Sequence, residues 1–203
     1  MTEKDLIIKS KELAKNTVMT EFRKALGKYY ISWGTFPLSF GLAYFILNFL
    51  NLYSYISFSI SITGILIFYI LLSIRFFRKA RKILNNFISI FGENSRKIHI
   101  FEYYIYPFLL IISFVFLGVG AFFFNIIFLI FGSTLYAISV DISLYFLYKT
   151  ANGIKYYDIL ALITFTMLMT LSETRFIEFF SMIFGISWIF AGYKSLMEVI
   201  ESD

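Results

Sequence analysis

Asp141 is the one charged residue between Tyr103 and Tyr148, a stretch of 46 residues. A carboxylate at such depth in an apolar helix costs a few kcal/mol and faces either a bundle interior or water, which makes it a functional candidate by placement alone. At helical spacing Thr134, Ala137, Asp141, Tyr145 and Tyr148 share a face. The hydroxyls of Thr134 and Tyr145 could then share a proton with Asp141 or line a cation path beside it. The competing reading makes Asp141 a protonated or hydrogen-bonded packing group.

Other chemistry-bearing residues form no reaction signature. His99 is the sole histidine and sits in a basic connection, where it reads as a solvated or interfacial side chain. Glu173, Arg175 and Glu178 cluster at a polar turn and read as a surface ion pair ending two helices, with a substrate gate as the alternative. Cysteine is absent, so disulfides, thiolate metal sites and cysteine nucleophiles are excluded. Phosphate loops, nucleophile elbows, zincin spacings and paired membrane aspartates are missing. The expectation is a non-enzymatic chain with no metal and no cofactor.

The elements that must position Asp141 follow from hydropathy. The chain of 203 residues is 59% hydrophobic and 15% charged, with 27 Phe and 15 Tyr, outside the range of soluble globular domains. Charges cluster between long uncharged stretches, which predicts an all-α, polytopic membrane bundle of about six transmembrane helices in three hairpins. Tyr29 to Ile74 is uncharged over 46 residues, twice what one crossing needs, and Asn48, Asn51 and Ser54 mark the turn between spans near 30–49 and 55–75. Pro37 predicts a local kink, with Thr35 or Ser39 hydroxyls serving the freed backbone groups. The alternation SFSISIT (57–63) resembles a strand, but an open strand in lipid leaves its backbone unpaired, so helix is expected. The second hairpin, 103–148, turns near Gly120 to Asn125. The third, within 149–193, has short uncharged runs that either span or re-enter.

Flanking these are a charged amino-terminal helix (1–28), which lacks the apolar core of a secretory signal, a basic connection (76–102) and a tail (194–203). Along residues 75–91, Phe76, Phe77, Ala80, Ile83, Leu84, Phe87, Ile88, Ile90 and Phe91 fall on one helical face. Arg75, Arg78, Lys79, Arg81, Lys82, Asn85, Asn86 and Ser89 fall on the other. This basic amphipathic helix either lies in the headgroup region or docks on a partner, and the helix before residue 28 could pack against it. Small residues on helical faces (Ser57, Ser61 and Gly64; Gly118 and Gly120; Ser181, Gly185, Trp188 and Gly192) are read as packing surfaces.

On the six-span plan, 17 of the 18 basic residues lie on one side and Arg175 alone on the other. The positive-inside rule then places both termini in the cytoplasm, at the cell membrane. The net charge of +5 is concentrated beside anionic headgroups, so the expected partners are lipid, a second copy or another membrane protein, and not nucleic acid.

Overall fold

A computed structural model describes residues 3–91, 96–172 and 174–202, with side chains over 5–91, 108–172 and 174–201. Among the described residues the chain is all-α, with seven helices and no strand: α1 (Glu3–Gly34), α2 (Phe36–Phe49), α3 (Tyr55–Phe91), α4 (Arg96–Phe123), α5 (Ile126–Thr150), α6 (Tyr156–Thr170) and α7 (Ile177–Ser202). His99 and Glu173, singled out above, lie outside the described side chains.

Among the described residues four segments are long and apolar enough to cross a membrane: Asp5–Phe49, Tyr55–Phe91, Ile126–Thr150 and Ile177–Glu201. Phe108–Phe123 and Tyr156–Thr170 are apolar but shorter. Only 6% of the most apolar window of Tyr55–Phe91 is buried within the chain, so its Ile, Leu and Phe side chains face outward. Water does not tolerate a continuous surface of that kind, and lipid does. The chain is a membrane protein.

The expected turns form where the polar residues stand. Asn51 takes a positive φ of 54° after α2, and Ser54 and Ser57 cap one another's backbone at the start of α3. Phe124 has φ 51°, and the Asn125 side chain accepts from the Ile127 N–H to open α5. SFSISIT is helical, within α3. At Pro37 the helix breaks between Gly34 and Phe36. The Thr35 hydroxyl donates to Ser32 O at 2.7 Å, and the Tyr69 hydroxyl sits 3.0 Å from Thr35 Oγ1 and 2.7 Å from Ser39 Oγ. The break is thus tied to α3, which Trp33 Nε1 also reaches through Ser73 Oγ at 2.9 Å.

α1 is the hub, packed on α7, α3, α5 and α2, while α6 joins α7 to α5 and α4 lies outermost on α5. The 75–91 segment is continuous with the rest of α3. Its faces separate as the pattern predicts: Phe77, Ala80 and Phe87 are buried, and Arg75, Arg78, Lys79, Arg81 and Lys82 are exposed. The buried face meets α1 in the same chain, with Phe77 beside Phe22 and Tyr29 and with Lys79 bonded to Glu21 at 2.6 Å. Ile90 departs from the pattern and is 72% exposed. On α1, Val18 and Ala25 are buried, but Leu6, Ile7 and Leu13 are exposed.

The α1–α7 contact is built on glycine. Gly27 lies against Gly192 and Gly34 against Gly185, two pairs spaced seven residues apart on antiparallel helices. A Cβ at Gly192 would stand 2.6 Å from Gly27 O, and one at Gly34 would stand 2.9 Å from Gly185 O. These obstacles are backbone and cannot swing away. Trp188, between the two glycines of α7, packs edge-on against Tyr30 of α1 at 5.2 Å and donates from Nε1 to Ala161 O at 2.9 Å on α6. Gly118 and Gly64 meet nothing within 4 Å, so the packing expected of their faces does not occur inside the chain, whereas Gly120 is pressed on Leu129 of α5.

Substituting Gly192→Ala should therefore force α1 and α7 apart at a cost of roughly 1–3 kcal/mol. In the dissociated monomer, Gly64→Ala, with open space around it, should be neutral or slightly stabilising. Thermal unfolding in detergent checks both, and equal effects would contradict the crossing geometry.

Candidate functional site

The sequence reading treats Asp141 as the one buried charge. The structure corrects this: among the described residues the fully buried ions are Arg23 and Asp158, 3% and 0% exposed. Asp158 is the third residue of α6, and its Oδ2 accepts the Lys155 backbone N–H at 2.9 Å, closing the first turn. Carboxylates favour that position because helix-terminal N–H groups are otherwise unpaired. Arg23 lies on the buried stripe of α1, one turn from Leu26 and two from Tyr30. Their separation of 135 residues closes to 2.7 Å, Arg23 Nη1 to Asp158 Oδ2.

The loop between α5 and α6 supplies the rest of the cage. Asn152 and Gly153 adopt left-handed φ of 70° and 87°, and Gly153 N–H returns to Tyr148 O at 2.8 Å. This reversal turns the Ala151 and Gly153 carbonyls toward α1. Arg23 donates to Ala151 O from Nε (3.1 Å) and Nη2 (2.8 Å), and to Gly153 O from Nη2 (2.6 Å). Lysine has no planar fork that could serve two carbonyls and a carboxylate at once. The guanidinium also stands 5.7 Å from the Tyr157 ring centre, within cation–π range.

On the other carboxylate oxygen, Tyr30 Oη lies 2.9 Å from Asp158 Oδ1 and 2.6 Å from Tyr148 Oη. A phenol has one hydrogen and an ionised carboxylate can only accept, so Tyr148 donates to Tyr30 and Tyr30 to Asp158. Ser195 Oγ of α7 donates to Arg23 O at 2.9 Å. At the rim Tyr157 donates to Glu198, whose other oxygen meets Lys155 Nζ at 2.9 Å. The cluster thus ties together α1, α5, α6 and α7. A cavity of about 210 Å³, bordered by Asn16, Thr20, Arg23, Asn152 and Glu198, opens on its edge.

No family model matches this chain, and no curated protein or solved structure is similar to it. The residues themselves must carry the functional argument. Asp141 is partly buried and accepts from Thr166 Oγ1 of α6 at 2.7 Å, a partner not evident from its own helix. Its Oδ1 is buried without a hydrogen bond. Thr134 donates to Ile130 O of its own helix, and Tyr145 is 50% exposed, so neither is hydrogen-bonded to Asp141. Arg75, Arg78, Arg81 and Lys82 project outward from α3. Arg175 and Glu178 are exposed, and ion pairs form between Arg23 and Asp158, between Lys79 and Glu21 and between Lys155 and Glu198. No three His, Cys, Asp or Glu converge among the described residues.

One sequence signal for the buried pair exists. Arg23 is the single arginine among seven basic residues before Tyr29, and it stands seven residues before Tyr30 on a stripe of apolar side chains.

Chemically the Arg23 cluster is a neutralised clamp. Removing one ion should cost far more than removing both. Arg23→Met is expected to lower stability by about 3–5 kcal/mol, whereas Arg23→Met with Asp158→Asn should recover much of that loss, and Arg23→Lys should rescue little. Thermal unfolding of the purified variants measures this, and additive effects of the two single changes would refute the clamp.

Proposed function

We propose that this protein is a non-enzymatic, multi-pass subunit or scaffold of the cell membrane, with six crossings and both termini cytoplasmic. The observation that carries this reading is the α2–α3 hairpin. α2 buries no residue within the chain, Gly41 and Gly64 have nothing within 4 Å, and Phe49, Tyr55 and Ile56 are 76%, 86% and 70% exposed. Small residues on an outward apolar surface allow another transmembrane helix to approach closely. The deeply buried polar groups of the Arg23 cluster satisfy one another, so they need no substrate to account for them. The orientation rests on the basic residues, 17 of them on one side of the six-span plan.

A second reading is a small transporter or channel, favoured by the unpartnered Oδ1 of Asp141 beside Thr166. An intramembrane carboxylate with spare accepting capacity is suited to proton or cation handling.

Purification in mild detergent should yield a homo-oligomer or a complex with another membrane protein; a monodisperse monomer with nothing bound would end the scaffold reading. The chain lacks Cys, so single cysteines at 174 and in the tail can be labelled from either side, with the outer reagent expected to reach 174 only. For the second reading, Asp141→Asn should abolish pH-dependent flux in reconstituted vesicles, and unchanged flux would reject it.

A further inference from the structure

A cavity of about 440 Å³ lies between α1 and α3, and its lining is unlike the rest of the surface. Lys24 and Lys28, one turn apart on α1, face Arg75 and Lys79, one turn apart on α3, over a floor that includes Leu72 and Phe76. The fifth charged lining residue, Glu21, is held by Lys79 at 2.6 Å. No described carboxylate pairs with Lys24, Lys28 or Arg75. Three cations therefore converge on one groove with their charge uncompensated.

The level of this groove follows from the pairing of the two helices. On α1 the last charge is Lys28, after which the chain is uncharged; on α3 the first charge is Arg75, before which it is uncharged. The contacts of Glu21 with Lys79 and of Trp33 with Ser73 hold the antiparallel helices in a register that places both boundaries at one height. The groove is therefore apolar on its membrane side and cationic at the headgroup plane.

We propose that this groove binds the phosphate of one acidic phospholipid, with Lys24, Lys28 and Arg75 as its ligands and an acyl chain running along the exposed Ile67, Phe68 and Leu71 of α3. Arg75 has the planar fork suited to two phosphate oxygens, and the two lysines add point charges. A cavity of this size is in the range of small-molecule sites. The apolar side selects a lipid over a free phosphate. This site rests on the membrane reading above but not on the sidedness of the chain.

The test is native mass spectrometry and lipid retention from nanodiscs containing phosphatidylglycerol and phosphatidylcholine in both leaflets. The wild-type chain should retain one tightly held phosphatidylglycerol. With a basic residue near the surface contributing about 1 kcal/mol, Lys28→Ala with Arg75→Ala should weaken retention on the order of 30-fold. Arg81→Ala with Lys82→Ala removes the same charge outside the groove and should leave retention within about twofold, within the usual scatter. Circular dichroism and thermal unfolding check that both variants are folded. Equal losses in the two double variants would mean diffuse attraction and overturn the site. Displacement of the lipid by millimolar inorganic phosphate would also overturn it, since a free anion would then be the ligand. Because both leaflets carry the same lipid, an inverted orientation would change the cysteine labelling and not this result, so the two readings fail separately.

Discussion

The pairing of Arg23 with Asp158 sets the arrangement of the central helices, because two ions this deeply buried are tolerable only when each finds its partners in full. Desolvating either alone would cost several kcal/mol, and neither helix carries a local substitute. α1 must therefore lie where it can reach the α5–α6 loop, and that loop must reverse through Asn152 and Gly153 so that its carbonyls point at the guanidinium. Tyr30 and Tyr148 complete the carboxylate's needs and fix the rotation of α1 about its own axis. The glycine pairs Gly27–Gly192 and Gly34–Gly185 then let α7 close on α1, near enough for Ser195 to bond the Arg23 carbonyl.

This constraint divides the molecule unequally. The region around α1, α5, α6 and α7 holds most of the buried aromatic and polar groups, centred on Trp188 with Tyr30, Phe165 and Phe184 around it. The α2–α3 hairpin beyond Tyr69 is attached through the hydroxyls at the Pro37 break and a small contact of α2 with α7, and α2 buries no residue of its own. The basic residues divide in the same manner. Arg23 is an internal counter-ion, whereas Lys24, Lys28 and Arg75 line an open groove without a carboxylate partner among the described residues.

Much of the architecture was legible in the sequence, for local reasons. The positions of the turns at Asn51 and Asn125, the break at Pro37 and the two faces of residues 75–91 depend on backbone chemistry and helical periodicity, which a linear string displays. Ile90 departed from the pattern because only part of that apolar half meets α1. The partner of Asp141 was less accessible: its helical neighbours Thr134 and Tyr145 were visible, but Thr166 arrives from a different helix.

The linear order of residues was enough to establish that lipid is the solvent, that the fold is helical and where charge borders the apolar spans, since each follows from composition summed over a few turns. It pointed to Asp141 as the isolated charge because hydropathy counts a residue near a turn as solvated. Folding overruled that count. Arg23 and Asp158 each sit beside a polar segment in sequence, yet packing α1 against the α5–α6 loop removes both from solvent, and a pairing across 135 residues leaves no periodic trace in either segment.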